Sequence, residues 1–254
     1  MLWLIIGIII FVAIAVILFI FLKKIIKVIA VLSAIIIIAL LIGGFILYND
    51  SKDLQENFEN SPNLFLLELN DNIITGFQTI PGSDEPITLN KETINSYNSD
   101  YQKNNLEKIK SENYKLIIFK RQAFDSVEQI EIGDHEYTKD FVFTLINSET
   151  AVDDYIDDLV IREAVPQEQR EIVRKETKSD FEFTDSEFKG ILFASVFSNT
   201  MESEGPIFLF KQYKSGNAVI YKETPVFKLI DMIPTSYLQN IIKQTTSTVK
   251  EKII

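Results

Sequence analysis

Cysteine is absent from this chain of 254 residues, and its absence excludes several kinds of chemistry. Without a thiol the chain can form no disulfide, thiolate nucleophile, iron–sulfur cluster or cysteine-bound zinc site. Histidine occurs once, so one chain cannot supply several imidazole ligands to a metal. A polar domain without disulfides must be stabilised by its own packed core.

Glycine is also scarce, at nine residues, and the glycine-rich motifs that hold phosphates are missing. The nucleophile-elbow and zinc-protease motifs are missing as well. The pattern S-x-x-K occurs at Ser186/Lys189 and Ser247/Lys250, but the S-D-N and K-T-G motifs that accompany it in serine enzymes do not occur. We interpret both matches as coincidences, so no catalytic motif remains.

Charge is missing from two long apolar runs near the N-terminus. Residues 1–22 and 28–48 contain no charged side chain, and Lys23, Lys24 and Lys27 lie between them. Each run is about long enough to cross a hydrocarbon layer of roughly 30 Å as a helix. Because a segment in lipid must satisfy its own backbone hydrogen bonds, both runs are predicted to be helical. The sequence therefore predicts a transmembrane helical hairpin.

Two other interpretations of residues 1–48 are weaker than the hairpin. A cleaved signal peptide would begin with basic residues and have a shorter apolar core. One continuous helix would be roughly 70 Å long at 1.5 Å per residue. It would also carry three ammonium groups through its middle, at a high cost in lipid.

The three lysines also predict the orientation of the hairpin. Short loops rich in lysine stay in the cytoplasm, so both termini and the polar domain are predicted to be extracytoplasmic. Trp3 and Tyr48 would then anchor the hairpin at the outer membrane interface, where such rings prefer to lie. The expected location is the cell membrane, with two spans and the lipid bilayer as the first partner.

The remaining residues, 49–254, are strongly acidic. They contain all 36 acidic residues and 22 of the 25 basic ones, which gives a formal charge of −14. Nucleic-acid binding needs a basic surface, so this charge argues against it. It argues equally against tight adsorption on anionic lipid surfaces. The simplest role of this charge is solubility.

The polar part is predicted to be an α+β domain that follows a short stalk at residues 49–62. Three antiparallel β-hairpins are predicted where apolar or alternating runs flank a polar turn. Their paired strands are 64–69 with 73–80, 127–132 with 140–146, and 207–213 with 218–222, and a further strand covers 114–121.

Helices are predicted where apolar residues recur at helical spacing or where a capping pattern precedes them. They cover residues 90–112, 150–164, 166–178, 184–201 and the segment from Pro234 to the C-terminus. Thr150 with Asp153, and Thr184 with Glu187, match the capping-box pattern. The helix from Thr184 is apolar on most faces and is expected at the centre of the core.

Two features could carry metal or proton chemistry. Asp153, Asp154, Asp157 and Asp158 would form two stacked carboxylate pairs on a helix, and carboxylate oxygens are ligands for Mg²⁺ or Ca²⁺. The simpler interpretation is a solvated acidic face. His135 could act as an acid, a base or a ligand, but a single histidine in a polar loop is usually solvated.

These observations favour a membrane-anchored, extracytoplasmic module for binding or assembly, with a protein partner or a second copy of the chain as its target. The alternative is a membrane-tethered enzyme that uses a divalent ion, Mg²⁺ or Ca²⁺, at the four aspartates. A further alternative makes the hairpin the active part, as one subunit of an oligomeric membrane complex. No cofactor is otherwise expected.

Overall fold

A computed structural model of the protein describes residues 32–234 except positions 34, 39, 84 and 206. The first apolar run, Trp3 and the three lysines lie outside the described residues, as does the helix predicted after Pro234. The chain divides into two units, Met1–Ser51 and Lys52–Ile254.

One helix in the described residues is long and apolar enough to cross a membrane, judged by length and composition alone. This helix, α1, covers Ile35–Asn60. Its apolar side chains are exposed, as Leu40 at 70% and Phe45 at 66% illustrate. The part of the second apolar run that α1 covers is therefore helical. The two-helix hairpin stays a prediction.

A five-stranded sheet forms the middle of the second unit, in the order β3-β2-β1-β4-β7. Its strands are β1 (Asn63–Leu69), β2 (Asn72–Gln78), β3 (Ile87–Thr88), β4 (Lys115–Lys120) and β7 (Ala218–Tyr221). Strands β1 and β4 are parallel, and the other neighbours are antiparallel. A separate two-stranded hairpin joins β5 (Gln129–Ile132) to β6 (His135–Thr138). The predicted α+β class is confirmed.

The first predicted β-hairpin is confirmed by the pairing of β1 with β2. Its turn contains Asn70 and Asp71, whose φ angles are 52° and 61°. Asparagine and aspartate tolerate this left-handed conformation better than most residues, which is why the turn could be recognised in the sequence.

Eight helices follow α1 in the described residues. They are α2 (Lys91–Gln102), α3 (Leu106–Lys110), α4 (Lys139–Asn147), α5 (Ala151–Arg162), α6 (Arg170–Asp180), α7 (Asp185–Glu204), α8 (Ile207–Lys214) and α9 (Pro225–Met232), and a 3-10 turn covers Arg121–Phe124. Helices α2 and α3 cover one face of the sheet with Ile94 and Ile109. The larger core on the opposite face contains side chains from α4, α5, α7, α8 and α9.

The larger core is rich in phenylalanine. Phe119 of β4 lies 5.6 Å from Phe208 and 5.8 Å from Phe197, measured between ring centroids. Helix α7 contributes Phe193, which is fully buried and lies 5.3 Å from Phe77 of β2. The predicted central position of α7 is therefore confirmed.

Two of the three predicted hairpins are wrong. Residues 140–146 belong to helix α4, and the true partner of β5 is β6, in the segment expected to be a loop. The side chain of Thr138 caps α4 by accepting from the Phe141 amide. The four buried residues of α4 fit one helical face as well as a strand, and a short apolar run does not distinguish the two.

The third predicted hairpin fails for the same reason. Residues 207–213 form helix α8, which buries Phe208, Leu209 and Gln212 at helical spacing. Strand β7 was predicted correctly, but it pairs with β4 instead. The helix predicted over 90–112 is broken at Asn104, whose φ is 55°. The helix predicted from Pro166 begins at Arg170.

The capping box of α7 provides a test of one local stabilising device. Thr184 Oγ1 accepts from the Glu187 amide at 3.3 Å, and Glu187 Oε2 accepts from the Thr184 amide at 2.9 Å. At Thr150 the predicted capping box does not form, because that side chain makes no capping bond. We expect Thr184→Ala to lower the free energy of unfolding by about 1 kcal/mol, and Thr150→Ala by less, in urea unfolding of the detergent-solubilised chain.

The same box predicts a pH dependence. The Thr184 amide and then its hydroxyl donate to Glu187, and these bonds lower the pKa of that carboxyl below 4.5. A lowered pKa in the folded state adds stability above the unfolded pKa, and that stability is lost as pH falls through the folded pKa. The difference in the free energy of unfolding between Thr184→Ala and the parent chain should therefore become smaller below pH 4.5. A difference that stays constant would contradict the assigned bonds.

Candidate binding cleft at the strand ends

A cleft of about 720 Å³ lies at the carboxyl ends of the two parallel strands, β1 and β4. Its apolar side is formed by Leu67, Leu69, Ile74 and Phe143, and its polar side by Arg121, Asp140, Thr144, Asn147, Ser148 and Asp154. In open α/β sheets, ligands bind in the crevice outside the carboxyl ends of parallel strands. The cleft occupies that position, and its volume is in the range of small-ligand sites.

The topology of the sheet explains how distant residues meet here. Strands β1 and β4 pair in parallel with Glu68 opposite Lys120. The next residue, Arg121, therefore emerges beside the end of β1, where the chain turns back into β2. Helix α4 then returns across the larger core and adds Asp140, Phe143 and Thr144 to the opposite wall.

Arg121 and Asp140 form the charged rim of the cleft. Arg121 Nη2 donates to Asp140 Oδ1 at 2.8 Å, and the guanidinium lies 5.3 Å from the centroid of the Phe143 ring. The side chains are 39% and 80% exposed, so the pair contributes little to stability. Arg121 and Asp140 therefore present one positive and one negative group to solvent beside the apolar wall.

Ser148 and Asp154 form a second polar part of the cleft lining. The Ser148 hydroxyl donates to Asp154 Oδ2, and Thr150 Oγ1 donates to Asp154 Oδ1 at 3.4 Å. Ser148 Oγ also accepts from the Thr150 amide at 3.0 Å. These bonds hold the start of α5 in place, and they leave the Ser148 hydroxyl bonded to a carboxylate.

The four aspartates of α5 separate into different contacts. Three pair with cations: Asp153 with Lys178 at 2.5 Å, Asp157 with Arg174 at 3.1 Å, and Asp158 with Arg162 at 2.5 Å. The fourth, Asp154, lines the cleft. Two of these ion pairs join α5 to α6. Among the described residues no three carboxylate or imidazole groups are gathered as metal ligands would be. Binding of Mg²⁺ or Ca²⁺ by these residues stays a prediction.

His135 lies away from the cleft, in β6. Its Nε2 atom is 3.9 Å from Glu163 Oε1, and its ring packs edge-on against Tyr137. A chemical role for His135 stays a prediction.

Ser186 and Lys189, one of the two S-x-x-K matches, also lie outside the cleft lining. Ser186 Oγ donates to the Leu89 carbonyl at 3.1 Å, so its hydroxyl is bonded to the backbone. Burial lowers the pKa of Lys189.

Sequence reasoning missed most of the cleft and included only Asp154. Arg121 had a weak signal, because it directly follows an apolar strand and polar residues after strands often face a crevice. Ser148 and Asp140 had none, since the segment around Asp140 was predicted to be a strand. The pairing of β1 with β4 joins residues about fifty positions apart, which no local pattern indicates.

Comparison with protein-family models, with curated proteins and with solved structures finds no match for this chain. The function must therefore be argued from the cleft, the charge and the apolar segment.

Proposed function

We propose that this protein is a membrane-anchored, extracytoplasmic binding module whose strand-end cleft receives a segment of a partner protein. The observation that carries the proposal is the cleft itself, with one apolar wall and a charged rim at the carboxyl ends of β1 and β4. An apolar side chain of the partner fits the wall at Leu69 and Ile74, which are partly exposed, and its polar groups meet Arg121 and Asp140 at the rim.

The chemistry of the cleft supports binding more than catalysis. The described residues of its lining include no histidine, lysine or tyrosine, and of its two carboxylates Asp140 is paired with Arg121. The one serine, Ser148, donates its hydroxyl to Asp154. Arginine and aromatic residues are both enriched at protein interfaces, and the Arg121 guanidinium lies over the Phe143 ring.

Two features support the membrane anchor and its orientation. Helix α1 is apolar and exposed over the segment that ends at Tyr48. The only charged residues before position 49 are Lys23, Lys24 and Lys27, which favour a cytoplasmic loop between two spans. Both termini and residues 49–254 are then extracytoplasmic, and the acidic surface keeps the domain soluble beside the membrane.

The absence of native cysteine allows one experiment to test both parts of the proposal. Asn147→Cys places a single thiol in the cleft, and Asn105→Cys places a matched thiol beside α3 on the other face of the sheet. Both asparagines are exposed. We expect a membrane-impermeant maleimide to label both variants in intact cells. A photo-crosslinker attached to the thiol should give a discrete protein adduct from position 147 only.

The adduct should also depend on the rim. Adding Arg121→Ser to Asn147→Cys should reduce the yield of the adduct, because the partner loses a charged contact while the thiol stays in place. Labelling that requires permeabilised cells would overturn the orientation. Equal adducts from both positions, or none from position 147, would overturn the cleft as the binding surface.

A further inference from the structure

A second cavity, of about 640 Å³, adjoins the strand-end cleft. Most of its lining residues belong to the starts of α2 and α7, so we call it the helix-start cavity. Ile74 of β2 and Asn147 of α4 line both cavities. Asn147 is exposed and Ile74 is half-buried, so the two cavities meet at the surface of the domain. Together they form one groove, which runs from the carboxyl ends of β1 and β4 to the start of α7.

The groove is acidic over its whole length. The described lining of the helix-start cavity has four carboxylates and two ammonium groups, a formal charge of −2: Glu92, Glu149, Asp185 and Glu187 against Lys91 and Lys189. The strand-end cleft adds two carboxylates and one guanidinium, a further −1. The groove therefore has a formal charge of −3 and is complementary to a cation.

Two of the four carboxylates in the helix-start cavity have no strong partner. Glu92 and Glu149 are exposed, and neither forms a hydrogen bond or an ion pair with another described residue. The other two carboxylates accept from backbone amides, Asp185 from Val152 at 2.9 Å and Glu187 from its own capping box. An amide is neutral, so these bonds leave both negative charges in place. Glu92 and Glu149 are the groups that an entering cation would meet.

The lysines of the helix-start cavity do not reverse this charge. Lys189 is half-buried, and burial lowers its pKa, whereas the charge of Asp185 raises it. The positive charge of Lys189 is therefore opposed mainly by a carboxylate of the same helix. Lys91 is exposed, but it is a single cation beside two exposed glutamates.

We propose that the groove binds a linear segment of the partner protein that carries lysine or arginine. A basic side chain of the segment meets Glu92 and Glu149, and an apolar one packs against Leu69 and Ile74 in the cleft. The proposal rests on the proposed function and names the chemistry of its partner. The formal charge of −14 on residues 49–254 favours the same partner, because opposite charges speed association. Exposed ion pairs are individually weak, so the segment must contact both cavities to bind well.

The extent of the groove is tested by cross-linking from single thiols on the full chain in intact cells. Asn95→Cys places a thiol in the helix-start cavity, Asn147→Cys places one where the cavities meet, and Asn105→Cys lies outside both. We expect positions 95 and 147 to be attached to one short segment of the same protein, and that segment to contain lysine or arginine. An adduct from position 147 alone would overturn the groove and leave the cleft standing. No adduct from either position would overturn the proposed function as well.

The charge of the segment is tested with two fluorescent peptides, one of alternating lysine and valine and one with glutamate in place of each lysine. The full chain is held in nanodiscs of phosphatidylcholine, a lipid without net charge that does not attract the basic peptide. We expect only the lysine peptide to bind. Replacing both Glu92 and Glu149 with glutamine should weaken its binding about fivefold, the effect of losing about 1 kcal/mol from two exposed ion pairs.

The matched control replaces both Glu131 and Glu176 with glutamine. These glutamates are exposed and lie outside the groove, on β5 and α6, so the control removes the same charge from the domain. It should weaken binding less than about twofold. Equal weakening by the two pairs of substitutions would show only general attraction to an acidic surface and would overturn the site. Failure of the lysine peptide to bind, or equal binding of both peptides, would overturn the basic partner without affecting the adduct from position 147.

Discussion

Replacing Phe119 with alanine is expected to lower the free energy of unfolding of the polar domain by about 3–5 kcal/mol. Phe119 is fully buried in β4, and its ring packs against Phe124, Phe197 and Phe208 at centroid distances of 5.4 to 5.8 Å. Alanine removes these contacts and leaves a cavity that the sheet and two helices cannot close. A typical domain is stable by about 5–15 kcal/mol, so this single change would remove a large part of the total.

The matched control is Phe183→Ala, because Phe183 is 49% exposed and precedes α7. Its replacement should cost less than about 1 kcal/mol. Urea unfolding of the detergent-solubilised chain, followed by near-ultraviolet circular dichroism of the tyrosines, measures both variants. The only tryptophan, Trp3, lies in the apolar run and would not report on the domain. Similar unfolding midpoints for the two variants would contradict the central position of Phe119.

Loss of Phe119 should also affect the cleft, because Arg121 follows it by two residues in the chain. The aromatic core fixes the end of β4, and that strand end positions the charged rim. The same residues thus connect stability with the proposed binding surface. The shape of a cleft at strand ends depends on the core that positions those strands. A cleft formed by loops would tolerate the loss of a core side chain more easily.

The sequence predicted the elements whose signals are local. The turn at Asn70 and Asp71, the capping box at Thr184 and the apolar strand at 115–120 were all recognisable, because each depends on a few neighbouring residues. Long-range order was not recognisable. Strand β4 pairs on one side with β1 and on the other with β7, about a hundred positions later, and no turn chemistry specifies either pairing.

The errors have a common physical cause. Segments 140–146 and 207–213 each contain a short apolar run that fits either a strand or a buried helix. Both form helices whose apolar side chains pack into the larger core. This error also affected the prediction of the candidate site. With residues 140–146 placed in a strand, nothing indicated that Asp140 would lie beside Arg121. The four aspartates could be recognised as a cluster in the sequence. Their partners on α6 could not be inferred without knowing that α5 packs against α6.

Glycine at position 76 is explained by the packing on both sides of β2. A Cβ atom there would lie 2.6 Å from the Phe65 carbonyl oxygen and 2.5 Å from Leu66 Cδ2. On α7, a Cβ at Gly190 would lie 3.0 Å from the carbonyl oxygen of Gly76. Gly190 therefore permits α7 to approach the sheet closely, and Gly76 permits the close packing of β2 against β1. Neither glycine has a signal in the local sequence pattern.

Gly76→Ala is accordingly expected to destabilise the domain by about 2–3 kcal/mol, because the new methyl group meets a backbone oxygen that cannot move without displacing β1. Gly133→Ala is the control: its φ is 60°, but nothing lies within 4 Å of an added Cβ, so only backbone strain of about 1 kcal/mol is expected. Urea unfolding of both variants should rank Gly76→Ala as the less stable. The reverse ranking would contradict the pairing of β1 with β2. It would also contradict the apolar wall of the cleft, because Leu67, Leu69 and Ile74 belong to these two strands.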